Sequence, residues 1–310
     1  MSARAASSAL ILSLLLLPAA IRSAHAGPWL PAPGEYYVEL RGSAFSADSY
    51  HDDDGDRLPL PGKWEERSAR ATVELGWKKS MSFLMSAPFI SATQRYATGT
   101  RTSTGLEDLR VGLRYGLHQG TSALALELDW QGPLGYDRSS SVFGDPLRDG
   151  GLEQISLALH YGLPITKHGF LQVGAGGGYR FLSLTGTGKH VMNPDDPEAP
   201  VIDEAKERWG VPLLASADLG IWLTRNLLVA GRFSGSTTAS HGDLYPERTV
   251  HLAGPMLLYR VDDRLDLSVG SWSTAIAHDA PHYDQVYVGL VFKQTKLNRA
   301  QGFLGGLKTP

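Results

Sequence analysis

Three short runs in this chain hold residue types capable of chemistry. His51-Asp52-Asp53-Asp54-Gly55-Asp56 gathers carboxylates around a turn glycine, which suits a hard cation such as Ca²⁺. The spacing of a helix-loop-helix calcium site fails. With Gly55 in the sixth place, Tyr50 would take the first ligand position and Pro61 the position of the bidentate Glu. A solvated turn is the simpler reading, with weak Ca²⁺ binding at a lipopolysaccharide-rich surface as its alternative. Gly186-Thr187-Gly188-Lys189 is a fragment of a phosphate loop, but Ser183 stands where the first glycine belongs and His190 where Ser or Thr must follow the lysine. Ser240-His241-Gly242-Asp243, with His251 and His278 elsewhere, offers a nucleophile, a base and a carboxylate. On an extended strand adjacent residues point to opposite faces, so those neighbours do not form a relay. No catalytic residue, cofactor or metal is therefore assigned, and an outer-membrane lipid hydrolase stands as the enzymatic alternative.

A larger charged set is spread along the chain at even spacing. In Gly105 to Leu117, Leu109, Val111, Leu113, Tyr115 and Leu117 alternate with Asp108, Arg110 and Arg114. Leu124, Leu126, Leu128 and Trp130 alternate in the same way with Glu127 and Asp129. Period two is the signature of a strand with one apolar and one polar face. Extending this parity puts Glu35, Glu39, Arg41, Arg70, Glu74, Asp108, Arg110, Arg114, Glu127, Asp129, His160, Arg180, Asp218, Arg232 and Asp266 on one set of faces. In a barrel immersed in lipid the apolar faces look outward and these residues line the lumen. There they either pair with each other structurally or tune a narrow polar path.

The elements that must position them are about twelve runs, near 34–46, 65–77, 81–91, 105–117, 121–131, 151–163, 169–184, 206–222, 227–239, 247–260, 264–276 and 282–292. Tight turns such as Lys78-Lys79-Ser80 and Val261-Asp262-Asp263 alternate with longer polar segments, Ser46 to Trp64, Gln131 to Gly150 and Thr185 to Ala205. Short turns at one end and long loops at the other predict an all-β, transmembrane, antiparallel up-and-down barrel with periplasmic turns and extracellular loops. Trp77, Trp130, Tyr161, Trp209, Trp222, Tyr259 and Phe292 fall near strand ends, where interfacial aromatics are expected. Gly174, Gly176 and Gly178 share one face and suggest the widest part of the lumen.

The N-terminus supplies a route to a membrane. Arg4, the apolar run Ala9 to Ile21 and Ala24-His25-Ala26 read as a signal peptide cleaved after Ala26, too short and too interrupted by Pro18 to be a span. The expected division is a signal at 1–26, a short periplasmic segment at 27–33, the barrel at 34–292 and a polar tail at 293–310. Cysteine is absent, which excludes disulfides, a lipidated N-terminal cysteine and thiolate metal sites. With a net charge of -3 and no basic stripe, nucleic acid is not an expected partner. The expected partners are outer-membrane lipid and lipopolysaccharide, the barrel-assembly machinery, and a small-molecule solute.

Gly105-Leu-Glu-Asp-Leu-Arg-Val-Gly-Leu-Arg-Tyr-Gly-Leu117 also resembles the G-x-x-D-x-x-x-G-x-x-Y-x-L strand of the outer-membrane proteins grouped with meta-pathway phenol degradation. Glu35-Tyr36-Tyr37, His51 to Leu60 and Ala87-Pro88-Phe89 are similar to the first three strands of that family. The resemblance covers roughly the first half of the mature chain. It implies a Gram-negative outer-membrane barrel that admits aromatic or other hydrophobic compounds, and it carries no catalytic set. A channel passing small molecules is thus the expected function, with a structural or adhesion barrel as the alternative.

Overall fold

A computed structural model of the chain describes residues 28–96, 99–132, 153–181, 211–239, 248–278 and 280–294. The signal segment, the phosphate-loop fragment, the Ser240 run, the long segments after 132 and 181, and the tail from 295 lie outside the described residues.

Alternation of apolar and polar residues produces strands throughout: β1 (Tyr36–His51), β2 (Arg57–Lys78), β3 (Met81–Tyr96), β4 (Gly99–Leu106), β5 (Leu109–Gln119), β6 (Ala123–Gly132) and β7 (Glu153–Pro164). They continue as β8 (Gly169–Phe181), β9 (Val211–Trp222), β10 (Leu227–Ala239), β11 (Arg248–Arg260), β12 (Leu265–His278), β13 (Ala280–Pro281) and β14 (Asp284–Gln294). β4 and β5 are one stave interrupted at Glu107-Asp108, since both pair with β3, and β13 and β14 form another along β1. The result is a closed antiparallel barrel of 12 staves, sealed where β1 pairs with both β14 and β2. Closure leaves no sheet edge to face lipid with unpaired N–H and C=O groups.

One end carries tight turns locked by their own side chains. Asp262 Oδ1 accepts from the Arg264 and Leu265 amides at 2.6 and 2.9 Å, and Thr224 Oγ1 accepts from the Asn226 and Leu227 amides at 3.2 and 3.1 Å. Short Asp and Thr side chains stabilise a turn by replacing a backbone acceptor. At the other end the run 46–64, read above as a loop, continues the ladder. β1 and β2 run on through Ser46↔Glu65 and Ala47↔Trp64, bulge beyond Ala47, and close at a turn over Asp52 to Asp56. That run carries Asp, Gly and Pro in place of the apolar alternation that marks a strand within lipid, which is why it reads as loop. Within the turn Asp52 Oδ1 accepts from the Asp56 amide at 2.7 Å and Gly55 has φ 84, a conformation that suits glycine.

Outward side chains form an apolar band that includes Leu40, Phe83, Leu128, Leu157, Leu219, Leu257, Val286 and Val288. Trp77, Tyr259 and Phe292 are among its exposed aromatics. Trp222 is an exception to the expected girdle: it is only 4% exposed and points into the barrel, on the same face as Asp218 and Gly220. Proximity to a strand end suggested a lipid interface, but parity along β9 decides the face.

Candidate functional site: the barrel lumen

At the short-turn end the lumen is filled. Inward residues Ala123, Phe170, Trp222, Leu228 and Leu258 pack together with Trp29, and Met256 lies against them. Trp29 belongs to the segment preceding β1, which folds across this mouth. Its Nε1 donates to the Gly120 carbonyl at 3.0 Å, the Leu30 amide donates to Gln119 Oε1 at 3.0 Å, and Gln119 Nε2 donates to the Pro28 carbonyl at 3.0 Å. Gly34 and Glu35 then join the wall through paired bonds with Gly76 at 2.9 Å. Gly162 has no side chain where one would strike the Trp29 ring and Pro28, with a closest approach of 2.6 Å. Beside the apolar group, Asp266 accepts from Lys293 Nζ at 2.5 Å and faces Arg260 at 3.5 Å, while Arg260 lies 4.6 Å over the Trp222 ring. β14 runs two residues past Phe292, which seats Lys293 inward at 1% exposure.

Above it, β2, β3, β5, β6 and β7 hold one charged cluster. Arg114 and Glu127 are directly opposed in the ladder and form an ion pair, and Arg114 also reaches Glu74 at 3.0 Å. Arg110 Nη2 donates to Glu127 at 2.5 Å and Asp129 at 2.8 Å; His160 Nε2 stands 3.6 Å from Glu127; Ser82 Oγ donates to Glu74 at 2.6 Å. Two guanidiniums and an imidazole thus face three buried carboxylates. Gly112 makes this geometry available, since a Cβ there would lie 2.3 Å from Asp129 Oδ1.

A second cluster spans β1, β9, β10, β12 and β14. Arg232 meets Asp218, its register partner, at 3.1 Å, lies 4.9 Å over Trp272, and reaches the Tyr287 hydroxyl at 3.5 Å. Arg41 pairs with Glu39 at 2.6 Å and lies 4.6 Å over the same Tyr287 ring. Tyr37 donates to Glu39 at 3.3 Å. Arg70, opposite Arg41 in the ladder, is exposed and joins no ion pair among the described residues. Towards the long-loop end Phe45, Trp64 and Tyr283 form an aromatic group, with Phe45 5.2 Å from Trp64 and 4.8 Å from Tyr283.

The structure therefore brings Glu74, Arg110, Arg114, Glu127, Asp129 and His160 together, and separately gathers Glu39, Arg41, Asp218 and Arg232. Asp266 lies in the mouth. Asp108 and Glu35 are buried elsewhere along the wall. The Arg180 side chain lies outside what is described, although its backbone pairs with Gln154. Parity alone did not bring out Lys293, Arg260, Tyr287, Trp272 or Trp29, because their roles depend on strands far apart in sequence.

The glycine face of β8 does not open space. A Cβ at Gly174 would lie 2.5 Å from Ser216 Oγ and 2.7 Å from His160 Nδ1, and one at Gly176 would lie 2.5 Å from the Leu157 carbonyl. Missing side chains here admit neighbouring groups and a close approach of the wall. Among the described residues no group of three or more His, Asp or Glu is arranged to hold a metal ion.

No family model matches the chain, and no curated protein matches it in sequence. Solved structures match its fold. The COG4313 outer membrane channel from Pseudomonas putida F1 aligns over 89% of this chain and 100% of its own, with TM-score 0.63 and 11% identity. The translocator domain of autotransporter NalP from Neisseria meningitidis aligns over 84% and 88%, with TM-score 0.51 and 10% identity. The NanC porin aligns over 83% and 100%, with TM-score 0.50 and 9% identity. The shared property is the transmembrane β-barrel.

Proposed function

We propose that this protein is an outer-membrane channel that passively admits small molecules and closes at its periplasmic mouth, with hydrophobic or aromatic compounds as the solute class on the strength of the family resemblance. The observation that carries this reading is the construction of the closure. The wall is a continuous ladder, whereas the Trp29 obstruction sits on a short segment preceding the first strand and can leave without breaking a stave. A closure carried on a segment outside the ladder suits a channel, because the mouth can open while the wall stays intact. The channel character of two of the similar structures supports the reading, and the autotransporter barrel among them is why it rests on the lumen rather than on likeness.

The test is single-channel conductance of folded protein in a planar bilayer, with and without residues 28–33. Discrete openings that lengthen or enlarge on deletion support a gated channel. Silence from both folded forms overturns it in favour of a non-transporting barrel.

A further inference from the structure

On the outer face of the barrel, beside the closure seam, the wall is hollowed. A groove of about 710 Å³ runs over β12, β14, β1, β2 and β3, and a second hollow of about 540 Å³ lies in the neighbouring rows of the ladder. Register explains its shape. One row across the ladder reads Val288, Gly42, Ala69, Phe89, and the row below reads Leu290, Leu40, Ala71, Ala87. Gly42, Ala69 and Ala71 form the low part of the floor, with Leu40 at its lower edge, and Phe89 stands on one side with Val288 on the other. The walls are three strand spacings apart, about 14 Å. A Cβ built at Gly42 meets nothing within 4 Å, and Val286 and Val288, beside Ala44 and Gly42, are 61% and 62% exposed.

The next rows change chemistry abruptly. Val286, Ala44, Arg67 and Ser91 are followed by Asp284, Ser46, Glu65 and Thr93, and then Lys63 stands opposite Arg95. In these rows of β2 and β3 the outward cations Lys63, Arg67 and Arg95 face one outward carboxylate, Glu65. Lys63 and Arg95 pair with Glu65 at 2.7 and 3.2 Å, while Arg67 has no ion pair among the described residues. Asp284 lies across the hollow and accepts from Ser273 Oγ at 2.7 Å. Exposed pairs of this kind are weak, so their cations can exchange to a stronger anion.

We propose that this groove is a binding site for one molecule of the phosphorylated, multiply acylated glycolipid of the outer leaflet. Acyl chain lies over Gly42, Ala69 and Ala71, a phosphate meets Arg67 and Lys63, and the serine hydroxyls of the upper hollow face the sugar. Apolar floor, cationic step and hydroxyl rim follow one another in the order that such a lipid presents its parts, whereas a second copy of the chain would need a complementary apolar ridge against the floor. The site rests on the outer-membrane placement and not on transport, so a failed conductance experiment leaves it standing.

Native mass spectrometry of the folded protein in mild detergent tests it, with bisphosphorylated lipid A, the same lipid without phosphates, and dipalmitoyl phosphatidylethanolamine as probes. One bisphosphorylated lipid A per barrel is expected, bound at least tenfold more tightly than either control. Gly42→Leu fills the floor and Arg67→Glu reverses the charge; each should weaken retention at least tenfold, while Ala215→Leu on the outward face of β9 should not. Heat-modifiable gel mobility verifies folding, and if Gly42→Leu fails to fold, Arg67→Glu reads the site alone. Equal retention of all three lipids, insensitivity to Arg67→Glu, or dimers in place of lipid adducts would overturn the proposal.

Discussion

Trp29 donates its indole N–H to the carbonyl of Gly120 at 3.0 Å, linking the segment before the first strand to a turn 91 residues away. That bond, with the Gln119 contacts to Leu30 and Pro28, holds an aromatic ring against Phe170, Trp222 and Leu228 in the mouth of the barrel. Trp29→Ala should remove much of the obstruction and cost about 3–5 kcal/mol of local packing. The expected outcome is a larger or longer-lived conductance with the barrel still folded. Unchanged conductance would mean that the mouth is closed by the inward side chains of the wall alone.

Glu127 is the acceptor shared by Arg110, Arg114 and His160, and it is only 2% exposed. Glu127→Gln leaves two guanidiniums in the barrel wall with one fewer carboxylate between them. Breaking a buried pair by removing one partner costs about 3–5 kcal/mol, because the remaining charge is uncompensated. Denaturant unfolding in lipid should show a loss of that order, and Asp129→Asn, which touches Arg110 alone of the two, should cost less. Equal costs for the two variants would contradict a cluster centred on Glu127.

Arg70 is the guanidinium to change for selectivity. It faces the lumen opposite Arg41, whose charge is already taken up by Glu39. An exposed lumen charge tunes which ions pass without holding the wall together. Reversal potentials under a salt gradient should therefore move towards cations in Arg70→Glu, by a severalfold change in permeability ratio, with little loss of stability. Arg114→Gln, in contrast, should damage folding before selectivity can be read.

How much of this was legible in the sequence depends on how far apart the interacting residues lie. Period two in Gly105 to Leu117 places Arg110 and Arg114 on one face without any knowledge of their neighbours, because strand geometry alone decides it. The register then sets Arg114 opposite Glu127, and the aligned hairpin between β5 and β6 is short enough to read. The fit of Asp129 over Gly112 needs both strands at atomic spacing, so the glycine carries no visible meaning in the sequence. Arg232 and Arg41 share Tyr287 only because the barrel closes, bringing β10, β14 and β1 around one lumen. Trp222 shows the opposite error: a strand-end position suggested lipid, although the alternation Asp218, Gly220, Trp222 had already turned it inward.

At the long-loop rim, above the membrane-spanning ladder, a histidine pair predicts a pH response. His51 Nδ1 donates to the Gly55 carbonyl at 3.0 Å, which leaves His51 Nε2 to accept from His282 Nδ1, also at 3.0 Å. Burial and then the nearby Arg57 charge hold the His282 imidazole below its usual pKa, more than Asp284 at 3.7 Å restores. The opened rim, with an ordinary histidine near pH 6.5, binds the proton more readily than the closed rim. Stability of the closed rim is therefore fully present above about pH 6.5 and falls as pH drops through the depressed value. Amide exchange at Gly55, Asp56 and His282, whose N–H groups bond to Asp52 and Ser49, should show less protection at acid pH after correction for intrinsic rates. His282→Gln should flatten that dependence, because the replacement keeps polar contacts without a titrating ring. Persistence of the full pH dependence in this variant would remove His282 as its source, as would protection independent of pH in the native protein.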